Sequence, residues 1–186
     1  MPFVSYLADN ATPLAVYEKY PAIYRPWSDM SEALMNGDSQ FSQAERELLF
    51  SYAAGATGCE FVCIAHSEVA YARGVERGTV EVLLRDPQQA NVDDRLRPVL
   101  ALVQKLAAHP ADVTQADVDA VFAAGWGEDA LHSAIAIAGR AAFMHRVVAG
   151  FGLVSMGREV AAQNAERRVK QGYVKLVAAF EQTGNR

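Results

Sequence analysis

Apolar residues recur at helical spacing along this 186-residue chain, and no stretch sustains the alternation of apolar and polar residues that is typical of a strand. The sequence therefore predicts an all-α fold. Because 51% of the residues are hydrophobic, the chain can bury a sizeable core. We predict a single helical domain over residues 1–186, with a core motif region at 42–78 and C-terminal helices across 93–182.

Prolines and aromatic residues distinguish the N-terminal arm of the chain. Thr12 and Pro13 predict the start of a short helix through N-cap and first-turn chemistry. Pro21 and Pro26 are expected to break the following segment into pieces. The richness in aromatic residues indicates that the arm packs onto the core or onto a partner subunit.

Two predicted helices hold the most informative segment. Ser42 and Glu45 form a capping box that opens a helix through Ala54. Gly58 then allows a sharp turn, and a second helix is expected from about Cys59 to Tyr71. Residue 47 therefore lies on the first helix, and both cysteines lie at the start of the second.

Capping signals predict the later helices in the same way. Thr79 caps a short helix, a longer helix begins at residue 93 or 94, and Thr114 with Asp117 caps the next. Residues 129–148 are apolar on nearly every side, which is typical of a buried helix. A last helix is predicted from an apolar stripe formed by Val169, Tyr173, Leu176, Val177 and Phe180.

Both cysteines of the chain lie in one short segment, CEFVCIAH, at residues 59–66. At about 100° per residue, Cys59, Cys63 and His66 fall within an arc of roughly 60° on a helix, so two thiols and an imidazole share one face. A position in the first turn of a helix lowers the pKa of Cys59, and His66 reaches back one turn to take the Cys63 proton. A buried Glu47 with a raised pKa would accept that proton onward.

Two other interpretations of this segment stay open. A zinc ion would use Cys59, Cys63, His66 and Glu47, but this spacing on a single helix is not familiar from structural zinc sites. Alternatively, each cysteine is a small buried hydrophobe and the histidine is a satisfied core residue. The clustering favours redox chemistry, with no metal and no cofactor required.

The spacing of the cysteines also limits how they can pair. On an ideal helix, Cα atoms four residues apart are separated by about 6.2 Å, near the upper limit for a disulfide. We therefore expect either two free thiols or a disulfide accompanied by local unwinding at Cys59.

An acidic residue twelve positions before the first cysteine and a histidine seven after it form a pattern that resembles the alkylhydroperoxidase D and carboxymuconolactone decarboxylase superfamily, especially its peroxidase-related branch. The resemblance extends from about residue 40 to residue 155 and implies an alkylhydroperoxidase D-like helical fold. In the family, the second cysteine of C-x-x-C-x-x-x-H attacks peroxide, the first resolves the sulfenic acid, and the glutamate and histidine relay the proton. The resemblance places Glu47, Cys59 and His66 at three of these positions. Val62 stands where the family has its second cysteine, and Cys63 follows one residue later.

The resemblance implies a thiol-dependent peroxidase that reduces hydrogen peroxide or organic hydroperoxides in antioxidant defence, with an external dithiol as the reductant. It also implies a homo-oligomer. Two alternatives stay open. One is a lyase like carboxymuconolactone decarboxylase, which has no use for a pair of thiols. The other is a non-catalytic member of the family with a degenerate cysteine pair.

Charge and hydropathy restrict the partners of the chain. The net charge is -5, the isoelectric point is near 5.4, and lysine and arginine form no block, so we expect no nucleic-acid partner. The chain has no signal-peptide pattern, and no uninterrupted apolar run approaches the length that spans a bilayer. We therefore expect a cytoplasmic protein that acts on small molecules.

Overall fold

The computed structural model describes residues 1–177 and residue 180. Over these residues the fold is all-α, as the sequence predicted, because the described chain forms helices and no strand. The α-helices are α1 Pro13–Lys19, α2 Pro21–Asn36, α3 Gln43–Ala56, α4 Glu60–Ala72, α5 Thr79–Arg85, α6 Arg97–Ala108, α7 Gln115–Ala123, α8 Glu128–Phe151 and α9 Gly157–Gln171. Three short 3₁₀ helices lie at Pro87–Gln89, Asp94–Leu96 and Pro110–Asp112.

Helix α3 lies at the centre of the molecule and contacts α4, α6 and α8. Every residue from 46 to 54 of this helix is buried, so it is covered on all sides. The predicted capping box is present: the Ser42 hydroxyl accepts from the Glu45 N–H, and the Glu45 carboxylate accepts from the Ser42 N–H. Helix α4 packs between α3 and α9, which places the cysteine segment against the core.

The structure corrects the predicted roles of Pro26 and Thr79. Pro26 does not break the chain but lies inside α2, where its ring is exposed. The Ala22 carbonyl that loses its partner there is on an exposed residue, so water can bond to it. Thr79 is the first residue of α5 and does not cap it, because Gly78 with φ 96° precedes it as the N-cap.

The predicted final helix is shorter than its apolar stripe. Helix α9 ends at Gln171 because Gly172 adopts φ 70°, a left-handed conformation that favours glycine. Tyr173 and the described residues after it therefore leave the line of the helix and turn back onto the core, where Tyr173 and Val177 are buried. The last part of the predicted range, 178–179 and 181–182, lies outside the described residues.

Helix α8 is long and apolar enough, by length and composition alone, to cross a membrane. The helix contains no uninterrupted apolar run of that length, because charged residues, among them Arg140, divide it. In the structure, 44% of its most apolar window is buried, and Arg140 is only 4% exposed. Core helices of soluble proteins have the same length and composition.

Candidate active site

Helices α3 and α4 form an antiparallel hairpin that carries all four residues predicted for the site. Glu47 faces His66 near one end of the hairpin, and Gly55 faces Cys63 near the other. The tight connection depends on Gly58, whose φ of 76° suits glycine. The hairpin therefore fixes which side chains of the two helices meet.

The structure brings Glu47 and His66 into direct contact. His66 Nδ1 lies 2.7 Å from Glu47 Oε2, and the hydroxyl of Tyr173 donates to Glu47 Oε1 at 2.6 Å. Glu47 is completely buried, so these two donors replace the water that would otherwise solvate its carboxylate. We refer to Glu47 and His66 as the dyad.

Burial and hydrogen bonding determine the protonation of the dyad. Burial, assisted by the charges of Arg168 and Arg140, lowers the pKa of His66 to about 4 against the opposing effect of Glu47. Burial alone would raise the pKa of Glu47, but His66, the Tyr173 hydrogen bond and Arg168 together hold it below its ordinary value. At neutral pH the carboxylate is therefore ionised and the imidazole neutral.

This protonation state fixes the tautomer of His66. A carboxylate can only accept hydrogen bonds, so Nδ1 of His66 must carry the proton that it donates to Glu47. The lone pair of the neutral ring is then on Nε2. Tyr173 stays a donor because burial and the Glu47 charge raise its pKa.

His66 lines a cavity of about 390 Å³, which we call the dyad cavity. This volume is within the range of small-molecule sites, and most of its lining is apolar or aromatic. Three arginines line it, and no carboxylate does among the described residues. The lining residues that matter for its chemistry are Tyr17, Trp27, Phe61, Val62, His66, Arg140, Met144, Arg167, Arg168 and Tyr173.

The two thiols lie outside the dyad cavity. Both cysteines are free and buried, and neither thiol has a hydrogen bond to His66 within the described part of the chain. Sγ of Cys63 instead lies against the backbone of Gly55 in α3. Val62, which stands where the family that the sequence resembles has its second cysteine, lines the cavity with His66.

The expectation of a lowered pKa for Cys59 is wrong. Cys59 is the N-cap residue of α4, and its side chain makes no capping hydrogen bond, although the nearby Val62 N–H does favour the thiolate. Burial outweighs that effect and raises the pKa of Cys59. Burial also raises the pKa of the Cys63 thiol, against the opposing effect of the nearby Ser67 hydroxyl, which donates to the Cys63 carbonyl. Free thiols are one of the two states that the cysteine spacing led us to expect.

Cys59 lines a second cavity, of about 260 Å³, on the other side of Phe61. His145 lines the same cavity, and its Nδ1 lies 3.2 Å from the Thr57 hydroxyl. Glu47 and His66 are thus in contact with each other, Cys59 lines the second cavity, and Cys63 lines neither cavity. Across the described residues, no group of three or more histidine, cysteine, aspartate or glutamate side chains is placed to hold a metal ion.

Sequence reasoning missed two residues of this site. Tyr173 was assigned to a helical stripe, and the expectation that Glu47 has a raised pKa is wrong because Tyr173 and Arg168 were not foreseen as its neighbours. Arg140 was not singled out, although an arginine flanked by apolar and small residues of α8 was an available signal. Its guanidinium packs on Phe50 and Tyr173, at 4.2 and 4.6 Å from the ring centroids.

Comparison with known proteins identifies the fold. No family model and no curated protein matches this chain. Among solved structures, it is similar to an uncharacterized peroxidase-related protein from Silicibacter sp. TM1040, with a TM-score of 0.71 and 21% identity over 76% of this chain and 74% of that one. It is also similar to an alkylhydroperoxidase AhpD core, an uncharacterized peroxidase-related protein from Ralstonia eutropha JMP134, with a TM-score of 0.70 and 19% identity over the same shares.

These similarities confirm the alkylhydroperoxidase D-like helical fold that the sequence predicted. At this level of identity they define the fold of the chain and not its chemistry. The chemistry of the chain depends on the dyad, its cavity and the two thiols.

Proposed function

We propose that this chain is an enzyme that transfers protons by general base catalysis on a small organic molecule bound in the dyad cavity, with His66 as the base. The observation that carries the proposal is a neutral His66 whose Nδ1 is held by a fully buried carboxylate and whose ring lines a cavity of about 390 Å³. A base that is already unprotonated and fixed in one tautomer is ready to accept a proton.

The proposed step is an isomerisation or elimination that begins at a carbon acid. Nε2 of His66 takes a proton from a carbon next to a carbonyl group, and the electron pair of that C–H bond moves onto the carbonyl oxygen as an enolate. Glu47 stabilises the imidazolium that forms. In an isomerisation, the enolate takes the proton back from Nε2 at the same or another atom. In an elimination, the enolate electron pair expels a leaving group from the neighbouring carbon, and Nε2 gives the proton to that group. In both cases the base is regenerated and no electrons are gained or lost.

The second candidate is the thiol-dependent peroxidase predicted from the sequence. It is favoured by the two structural neighbours, both described as peroxidase-related, and by the position of Cys59 on a cavity of its own. A thiolate would attack the peroxide, an S–O bond would form as the O–O bond breaks, and water or an alcohol would leave. The other thiol would displace water from the sulfenic acid, and an external dithiol would reduce the disulfide.

The position of the thiols places this candidate second. Peroxide reduction needs a thiolate, but burial raises the pKa of both thiols. The dyad, which would have to deprotonate the attacking thiol, has no hydrogen bond to either cysteine within the described residues.

The lyase alternative that the sequence left open belongs to the class that we propose first. A cytoplasmic location is part of the same proposal.

Proton transfer can be tested before the natural substrate is known. Phenylpyruvate combines an acidic methylene group, a ketone, a carboxylate and an aromatic ring, and NMR in D₂O follows the exchange of its methylene protons. The native protein should accelerate this exchange. His66→Asn should reduce the acceleration about 100-fold or more, since an asparagine amide replaces Nδ1 but supplies no base at Nε2.

Two controls make the result specific. His109→Asn removes an exposed imidazole and should leave exchange unchanged. Peroxide consumption with dithiothreitol is measured in parallel for the native protein, Cys59→Ser and Cys63→Ser. Exchange that survives in His66→Asn, or rapid peroxide turnover that both serine variants abolish, would reject the proposal in favour of the second candidate.

A further inference from the structure

Arg140 is a buried cation without an anionic partner. It is 4% exposed, its Nε donates to the Ser31 hydroxyl at 3.0 Å, and no ion pair to it exists among the described residues. Nη1 of Arg140 is buried and has no hydrogen-bond partner. A buried donor of this kind is costly, and such groups in native proteins call for an explanation.

The surroundings of Arg140 stabilise its charge only in part. The guanidinium carbon lies 4.2 Å from the ring centroid of Phe50, 4.6 Å from that of Tyr173 and 5.8 Å from that of Trp27. Ring faces attract a cation, but they accept the guanidinium hydrogen bonds only weakly. The guanidinium is therefore held rigidly, and its Nη1 still lacks an oxygen acceptor.

Trp27 supplies a second buried donor on the cavity wall. Its Nε1 makes no hydrogen bond within the usual limits of distance and angle, although the indole acts on the nearby Tyr17 hydroxyl, whose pKa it lowers against the effect of burial. The arginines at 140, 167 and 168 line the dyad cavity, and no acidic residue does among the described residues. These charges, with the indole N–H of Trp27, give the cavity a positive potential. Apart from these groups the wall is largely apolar and aromatic, so it suits a ligand with one anionic end and an apolar body.

Arg140 is also close to the base. Its guanidinium and the His66 ring share two aromatic neighbours, Phe50 and Tyr173, and the charge of Arg140 contributes to keeping His66 neutral. An anionic group bound to Arg140 would therefore hold the adjoining atoms of the ligand beside the dyad.

We propose that Arg140, assisted by the indole N–H of Trp27, is the binding subsite for the carboxylate of an organic acid whose apolar body fills the dyad cavity. This inference rests on the proposed function in that it names the substrate class for the same cavity. Binding of the carboxylate itself does not require the base, so the two proposals can fail separately.

Isothermal titration calorimetry with phenylacetate and phenylacetamide tests the subsite. The two probes share the aromatic ring and the methylene group, and they differ in charge. Phenylacetate should bind at least about tenfold more tightly than the amide, because a charge-assisted hydrogen bond replaces an unpaired donor. Acetate, which lacks the apolar body, should bind more weakly than phenylacetate.

Variants locate the binding. Arg140→Met should remove the preference for phenylacetate, whereas Arg146→Met, at an exposed arginine of α8 that does not line the cavity, should keep it. His66→Asn should keep the preference for phenylacetate over phenylacetamide, even where proton exchange is lost. Trp27→Phe keeps the ring, removes the indole N–H and should weaken phenylacetate alone, which provides a test if Arg140→Met does not fold.

Equal affinity for phenylacetate and phenylacetamide in the native protein would overturn the proposal. A preference for phenylacetate that persists in Arg140→Met, or in Trp27→Phe if that is the variant available, would also overturn it. Loss of proton exchange with intact phenylacetate binding would instead count against the base and leave the subsite in place.

Discussion

Acid should destabilise this protein through His66, and the structure sets the size of the effect. Burial lowers the pKa of His66 from 6.5 to about 4 in the folded chain. In the unfolded chain the imidazole regains its ordinary pKa, so between pH 6.5 and pH 4 the unfolded state binds more protons than the folded state. The free energy of unfolding therefore falls as the pH falls through this window.

A shift of this size corresponds to roughly 3 kcal/mol, at 1.36 kcal/mol for each pH unit in the window. Urea unfolding followed by circular dichroism at intervals from pH 7.5 to pH 4 measures it. The native protein should lose about 3 kcal/mol more than His66→Asn across the window. Asparagine keeps a donor at the Nδ1 position for Glu47, so the comparison removes the titration and retains the hydrogen bond.

The control is His109→Asn, which removes an exposed imidazole and should retain the pH dependence of the native protein. Glu47 acts in the same direction as His66, because its lowered pKa stabilises the fold only while the carboxylate is ionised. Its contribution is lost at lower pH than that of His66. If the free energy of unfolding of the native protein and of His66→Asn falls equally with pH, burial does not hold the imidazole neutral. His66 would then not be the base.

Three other measurements bear on the site and the assembly. Tyr173→Phe should lower the free energy of unfolding by about 1–3 kcal/mol, because the buried Glu47 carboxylate loses one of its two donors, and urea unfolding measures this. Iodoacetamide should label Cys59 and Cys63 slowly in the native state and rapidly in urea. The thiol introduced by Val62→Cys should react faster than either in the native state, since position 62 lines the dyad cavity. Mass spectrometry follows the labelling of all three thiols. Light scattering should give a multiple of 20.2 kDa, because several large apolar side chains are exposed, and a mass near 20.2 kDa would contradict a homo-oligomer.

Local signals predicted the hairpin that carries the dyad. The capping box at Ser42 and the glycine at position 58 determine where the two helices begin and how they turn, and both signals depend on residues close together in the sequence. Once the hairpin is fixed, the contact between Glu47 and His66 follows from its register. The two helices and the pairing of Glu47 with His66 could therefore be predicted from the sequence.

Tertiary packing decided what the sequence could not show. Tyr173 reaches Glu47 because Gly172 ends α9 and turns the chain back, and the two residues are 126 positions apart. Whether a thiol near a helix start gains from the backbone N–H groups or loses by burial depends on what covers it. At Cys59 burial prevails. Pro26 remained inside a helix because its side of α2 is exposed, which a local rule does not record.

The position of one thiol separates the two chemistries that this hairpin can support. Successive residues of a helix point about 100° apart, so a side chain at position 62 and one at position 63 face different neighbours. Val62 lines the dyad cavity, whereas the Cys63 sulfur lies against Gly55. A cysteine at position 63 in place of 62 leaves Glu47 and His66 in contact, because the positions of these two residues in the hairpin are unchanged. In the function that we propose, the Glu47–His66 pair therefore acts directly on a ligand in the dyad cavity, where Val62 and not a thiol forms part of the wall.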